Sequence, residues 1–334
     1  MDLTRLAIIS QKEFSDHIRS KRLIFILIIF CLILGIEAAN GVTDYNKSLE
    51  AYKTGTGSLV IFLPSAVEVF YEIVDAIGSE GFGLIVGLAL GFDLISGEKE
   101  GRTLKTILSQ PIYRDELING KAIGGIAALV IISATGFFIV IAVMLILGIV
   151  PDLEGLFGIG ILWILTLLFM ITSFSLALMT SVVTKTSSNS LILSLAIIFL
   201  ILFVLPLGVN NIATEILIGQ PPLPSSDSFS TGLSKYQEKQ NEYNAEKKAI
   251  IDLSTSISIK EVYEDITLPI VAPSSYQISM NLKNSKDPYS SATFEKPGAW
   301  SLVKDQLGKV IIFIMWPVIF FGIAYIRFMR LDLR

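Results

Sequence analysis

Six stretches of this chain stay apolar for longer than a strand or an amphipathic helix needs, and this pattern limits the possible folds more than any other feature. They run approximately over 23–39, 82–96, 122–150, 156–183, 190–209 and 310–325. Crossing about 30 Å of hydrocarbon takes about 20 mostly apolar residues at a helical rise of about 1.5 Å. All six qualify, two of them marginally. The second is short and glycine-rich, so its helix is predicted to begin nearer Ile77. The chain is only 17% charged, against roughly 25% in soluble domains. These numbers predict an all-α polytopic membrane protein with six transmembrane helices.

Orientation follows from where Lys and Arg fall in short loops and tails. One side carries Arg5, Lys12, Arg19, Lys21 and Arg22, then Lys99, Arg102, Lys105, Arg114 and Lys121, then Lys185, and finally Arg327, Arg330 and Arg334. The opposite short loops hold only Lys47 and Lys53. Both termini are therefore predicted cytoplasmic, in a plasma membrane. The first apolar segment could also be read as a signal peptide ending at Glu37-Ala38-Ala39. The long polar stretch ahead of it favours an uncleaved span.

The predicted organisation has four parts. Residues 1–22 form a leader helix with Leu3, Leu6, Ile9, Phe14 and Ile18 set among charges, suited to the headgroup layer. Residues 23–209 hold five spans and their connections. Residues 210–308 form an α-containing extracytoplasmic region, in which Leu233, Tyr236, Tyr243, Ile250 and Leu253 have helical spacing. Residues 309–334 hold the last span and a cytoplasmic tail.

A single histidine (His17) and a single cysteine (Cys31) leave too few ligands for zinc, haem, iron–sulfur or blue-copper centres within one chain. No metal site and no bound cofactor is expected. The net charge of −4 gives no reason to expect a nucleic-acid partner.

The most informative stretch runs from Phe92 to Lys121, between the second and third spans. A membrane helix leaves the apolar layer at Asp93, and Ser96-Gly97 makes a break. A charged amphipathic piece follows through Thr103, Leu104, Ile107 and Leu108. Pro111 suits the first turn of a new helix, with Ile112, Tyr113, Arg114, Asp115 and Glu116 in its opening turns. Asn119-Gly120 would end that helix before Lys121 re-enters the membrane. The expected product is a short cytoplasmic helix near 111–119.

At these residues the chain resembles the ABC-2 type transporter permeases. The matching residues are Ser96-Gly97-Glu98-Lys99-Glu100-Gly101-Arg102-Thr103-Leu104, then Leu108-Ser109-Gln110-Pro111-Ile112-Tyr113-Arg114, then Gly120-Lys121. Within that family the likeness is strongest to the permease branch of nitrous oxide reductase maturation type. The motif covers about 30 residues, while the span layout and leader extend the likeness more loosely. The resemblance implies a homodimer, or a pairing with a similar permease, bound to two copies of a cytoplasmic ABC ATPase that carry the ATP and Mg. The 111–119 helix would be the coupling helix, with Pro111, Ile112, Tyr113, Arg114, Asp115 and Glu116 facing the ATPase. Asp93, Gly97, Glu98, Glu100, Gly101, Thr103, Leu104, Gly120 and Lys121 would form the gating motif.

The chain has no phosphate-binding loop of its own. Such a loop needs Gly-Lys followed by Ser or Thr, and the Gly-Lys pairs here continue into Ala122 and Val310. It is expected to be a permease subunit and not an enzyme.

Two features keep alternative readings. Asp93 lies at the end of an apolar segment, where it can serve function or simply reach water. Gly83, Gly87 and Gly91 recur every four residues and permit close helix approach, within the chain or between two copies.

Export of a lipid-like or amphipathic substrate is the leading expectation. In a second reading, the motion drives an extracytoplasmic partner protein through the 210–308 region. In a third, the chain is an intramembrane enzyme such as a lipid-linked glycosyltransferase, with Asp152 and Glu154 as its acids.

Overall fold

The computed structural model describes residues 3–55, 63–110, 112–204, 214–219, 236, 239–248, 258–284 and 298–331. Among these, every regular element is helical. In order they are α1 (Leu3–Arg19), α2 (Lys21–Thr54), a 3-10 turn (Ala66–Val69), α3 (Phe70–Gly78), α4 (Phe82–Gly91), α5 (Ser96–Glu100), α6 (Thr103–Leu108), α7 (Arg114–Ile146), α8 (Leu153–Val183) and α9 (Ser187–Phe199). After a π-helical turn (Leu200–Val204) come α10 (Ile259–Val271), α11 (Pro273–Asn284), α12 (Ala299–Asp305) and α13 (Leu307–Met329). Thr214–Leu217 and residues 239–248 are also helical.

Among the described residues four helices, α2, α7, α8 and α13, are long and apolar enough to cross a membrane. A fifth crossing arises if Ala66–Gly78 and Phe82–Glu100 are taken as one broken span, bent by 50°. Gly81 sits at the break with φ 79°, a left-handed conformation that a side chain would strain. The second apolar segment is therefore a broken helix and not the short continuous one expected from Ile77. The expected span at 190–209 is a 13-residue helix followed by a π turn, and Val204 is its last described residue.

The first span also differs from expectation, since α2 continues past Ala39 to Thr54. Hydropathy falls after Ala39, but no proline interrupts the backbone hydrogen bonding. The helix stops where Gly55 adopts φ 65° and its N–H returns to the Tyr52 carbonyl.

Contacts divide the chain into two units: 1–194 with 263–334, and 195–262. The expected outer region of 210–308 is thus split, because residues from Tyr263 onward belong with the first unit. Tyr263 explains this: its ring stacks on Phe169 at 4.6 Å and lies 6.3 Å from Phe313, and its hydroxyl is 2.9 Å from Thr166 Oγ1. A fully buried tyrosine with its hydroxyl satisfied anchors α10 to α8.

The central element is α8, which packs along α4, α13 and α7. Glycines make the α4 contact possible. A Cβ on Gly83 would meet the Phe169 ring at 2.9 Å, and one on Gly91 would meet the Phe174 carbonyl at 2.7 Å. Gly87 lies against the Met170 carbonyl. Gly83, Gly87 and Gly91 thus each lie against α8 within the chain. At the other flank α1 runs along α7, where Gly120 faces Ile9 and Gly124 faces Glu13.

Candidate functional site

The motif lies at one end of the bundle, where α4 breaks, and its charged residues tie the surrounding helices together. The break comes at Phe92–Ile95, whose successor residues need new partners for their N–H groups. Ser181 of α8 supplies one: its Oγ accepts from the N–H groups of Ile95 (3.0 Å) and Ser96 (2.9 Å) and donates to Ser96 Oγ (3.1 Å). One hydroxyl thereby opens α5.

Lys99 then reaches the far end of α8. Its ammonium donates to the carbonyls of Val182 and Thr184, the latter at 2.9 Å. A cation here satisfies carbonyls that the helix leaves unpaired and complements the negative end of its dipole. Glu100 does the converse for α9, accepting from the Ser187 N–H at 3.0 Å.

Glu98 points the other way, into a buried charged cluster. Its Oε1 is 2.7 Å from Lys121 Nζ, and Glu13 Oε2 of α1 is 3.0 Å from the same nitrogen. Side-chain exposure is 3% for Lys121, 8% for Glu13 and 18% for Glu98, so this is an interior ion triad and not a solvated one. Lys12 extends it toward solvent, 3.4 Å from Glu13 and 3.2 Å from Asp16. Two buried atoms of this cluster have no hydrogen-bond partner: Glu98 Oε2 and His17 Nε2. Burial depresses the His17 imidazole below the usual histidine range; Glu13 opposes this, Arg22 adds to it, Asp93 opposes it and Lys121 adds to it.

Beside this cluster Arg22 makes two bonds to Asp93, Nη1 to Oδ2 at 2.6 Å and Nη2 to Oδ1 at 3.0 Å, and lies 5.0 Å from the Phe92 ring centroid. Asp93 is therefore paired and not merely reaching water. Glu13, Asp16, His17, Ser20, Arg22 and Asp93 border a notch of about 460 Å³.

The exposed crest of the motif is α5's end and α6. Glu100, Gly101, Arg102, Thr103, Lys105 and Thr106 are exposed, while Leu104 is buried as the anchor beneath them. Arg102 joins the two short helices at φ 56°, a left-handed conformation uncommon outside glycine.

The separate 111–119 helix is not observed in the form expected. The helix that begins at Arg114 runs without interruption through Asn119 and Gly120 to Ile146. Gly120 is not an end signal; a Cβ there would lie 2.5 Å from Ile9 Cγ2, so the residue admits α1. Pro111 lies outside the described residues. Tyr113 is exposed, Ile112, Arg114 and Asp115 are half-buried, and Glu116 is buried. Arg114 donates to the carbonyls of Met329 (3.1 Å) and Leu331 (2.8 Å), closing the end of α13. Gly97 lies 3.5 Å, by its would-be Cβ, from Ser187 Oγ, and Thr103 Oγ1 bonds the Glu98 carbonyl at 3.3 Å.

Sequence reasoning missed Glu13, His17, Arg22 and Ser181. Glu13 carried a signal: on a helical wheel it shares the face of Leu6 and Ile9, an acid where an apolar residue belongs. Nothing in sequence marks Ser181.

At the opposite end a cavity of about 1070 Å³ is bordered by Asp44, Glu68, Glu72, Asp265, Asp305 and Lys309. Lys309 pairs with Asp265 at 2.6 Å. Asp152, an acid of the enzyme reading, accepts from the Gly155 N–H at 2.8 Å as the N-cap of α8.

Comparison with known proteins gives one family and two relatives. A family model described as "ABC-2 family transporter protein" matches residues 7–333. A protein of Pseudomonas aeruginosa named "Probable ABC transporter permease protein NosY" is 30% identical over 60% of this chain and 68% of its own length. A protein of the same name from Stutzerimonas stutzeri is 29% identical over 39% of this chain and 41% of its own.

Proposed function

Because the chain belongs to the ABC-2 family of transporter proteins, we propose that it is the membrane permease of a complex energised by a separate ATPase, and that the motif crest is its docking surface. The observation that carries this reading is the crest itself. A polar ridge from Glu100 to Thr106 projects between two apolar helical segments, and its flanks are bonded to α7, α8 and α9 and, through Lys121, to α1. A push on that ridge reaches four helices at once. The docking element is thus α5 and α6, shifted toward the N-terminus from the 111–119 segment.

In this reading the motif end and both termini are cytoplasmic, and two ATPase copies carrying ATP and Mg engage two permease copies. Apolar side chains exposed along α2 (Ile24, Phe25, Ile28, Leu32, Ile36) and α13 (Ile311, Ile314, Val318) face lipid or the second copy. The leader α1 suits the interface. Its inner face bears Leu6, Ile9, Glu13 and His17, a second face bears Leu3, Phe14 and Ile18, and a third bears Arg5, Lys12, Asp16 and Arg19. The cycle would export a lipid-like or amphipathic substrate across a plasma membrane. The second reading, mechanical drive of an extracytoplasmic partner, is favoured by the anchoring of α10 through Tyr263, which would pass motion of α8 to the far end.

The test is purification of the tagged chain in mild detergent. A P-loop ATPase should accompany it in equal number; a chain that purifies alone and remains active alone would refute the proposal.

A further inference from the structure

We propose that Lys121 is a positioning residue that makes the motif and the leader helix move as one body, through its simultaneous hold on Glu98 and Glu13. The inference rests on the permease reading above and adds a path for the motion.

Three helices meet at this one ammonium: α5 through Glu98 (2.7 Å), α1 through Glu13 (3.0 Å), and α7, which bears the lysine. Close packing reinforces the hold, since Gly120 and Gly124 let α1 lie directly on α7. As a source of stability the triad is a poor choice. It buries one cation with two anions, leaves Glu98 Oε2 without a hydrogen bond, and an apolar trio of similar volume would avoid that desolvation. What the ions supply is direction: two short bonds of fixed geometry between elements that an apolar contact would let slide. The crest lies within a few residues of Glu98, so displacement of α5 is passed to α1. The leader is then a lever and not a passive float.

The test uses the full chain with its ATPase in nanodiscs, in a Cys31→Ser background with a reporter cysteine replacing Ile9. The variants are Lys121→Arg, Lys121→Met, and the neutral triple Lys121→Met, Glu13→Gln, Glu98→Gln. Two rates are read: thiol labelling at position 9, which needs no ATPase, and permease-dependent ATP turnover. Lys121→Arg should keep both rates near the parent's, because a guanidinium can bridge two carboxylates. Lys121→Met should raise labelling and lower turnover, each by about tenfold, since two buried carboxylates lose their counterion. The triple should regain slow labelling while turnover stays low. If the triple restores turnover as well, or if Lys121→Met changes neither rate, the proposal is overturned. If no ATPase acts on the parent chain, the permease reading falls and the lever role falls with it; the labelling contrast would still separate that outcome from a failure of the triad to dock α1.

Discussion

Arg22 grips Asp93 with both arms of its guanidinium, at 2.6 and 3.0 Å, and so joins the first turn of α2 to the break that follows α4. Both side chains are about one-third exposed, which screens the pair. A double-mutant cycle with Arg22→Met and Asp93→Asn should give a coupling of about 1 kcal/mol in thermal unfolding. Coupling indistinguishable from zero would make the pair incidental.

Lys99 should matter more for stability than the neighbouring exposed charges. Replacing it by Met leaves the last carbonyls of α8 without their cation, and should cost about 1–2 kcal/mol. Lys105→Met, on the exposed crest, should leave stability nearly unchanged. Thermal unfolding of the two variants in detergent checks the contrast.

Arg114 should behave as a structural cap and not as an ATPase contact. Arg114→Glu places a carboxylate against the carbonyls of Met329 and Leu331. Hydrogen exchange should rise over the last turn of α13, while ATPase association persists. Loss of association with unchanged exchange would return Arg114 to the docking surface.

Docking of α1 should weaken on acidification. His17 has its protonation held below the unfolded value of about 6.5, so the unfolded state binds more protons in this range and stability rises with pH. The contribution is complete above about pH 6.5 and is lost as pH falls toward the folded pKa. Protection of the α1 amides, with each exchange rate referred to the intrinsic rate at the same pH, should therefore be lower at pH 5.5 than at 7.5, and His17→Gln should flatten the difference. Equal pH dependence in the variant would contradict the assignment to His17.

The long apolar helices were legible because lipid solvation imposes a length that composition alone displays. Their ends were less so. Hydropathy falls at Ala39, but the helix needs Gly55 to stop it. Gly120 looked like a terminator and serves instead to admit Ile9. The same motif residues that marked the family also hold the site together, yet their partners were hidden. Lys121 meets Glu13 only because α1 folds back along α7, and Lys99 finds the end of α8 across a similar separation. Neither contact has a local sequence pattern, since each is set by helix packing. The docking surface proposed here differs from the expected 111–119 helix for a related reason. Pro111 suggested a helix start, whereas the exposed surface lies before it, over α5 and α6.

The central claim is that this crest receives an ATPase. A photo-crosslinking residue at Thr106, in membranes holding the whole complex, should capture a P-loop ATPase, and the same residue at Tyr45 at the opposite end should not. Capture from Tyr45, or a crest at Thr106 that crosslinks to no ATPase while the complex hydrolyses ATP, would contradict the account.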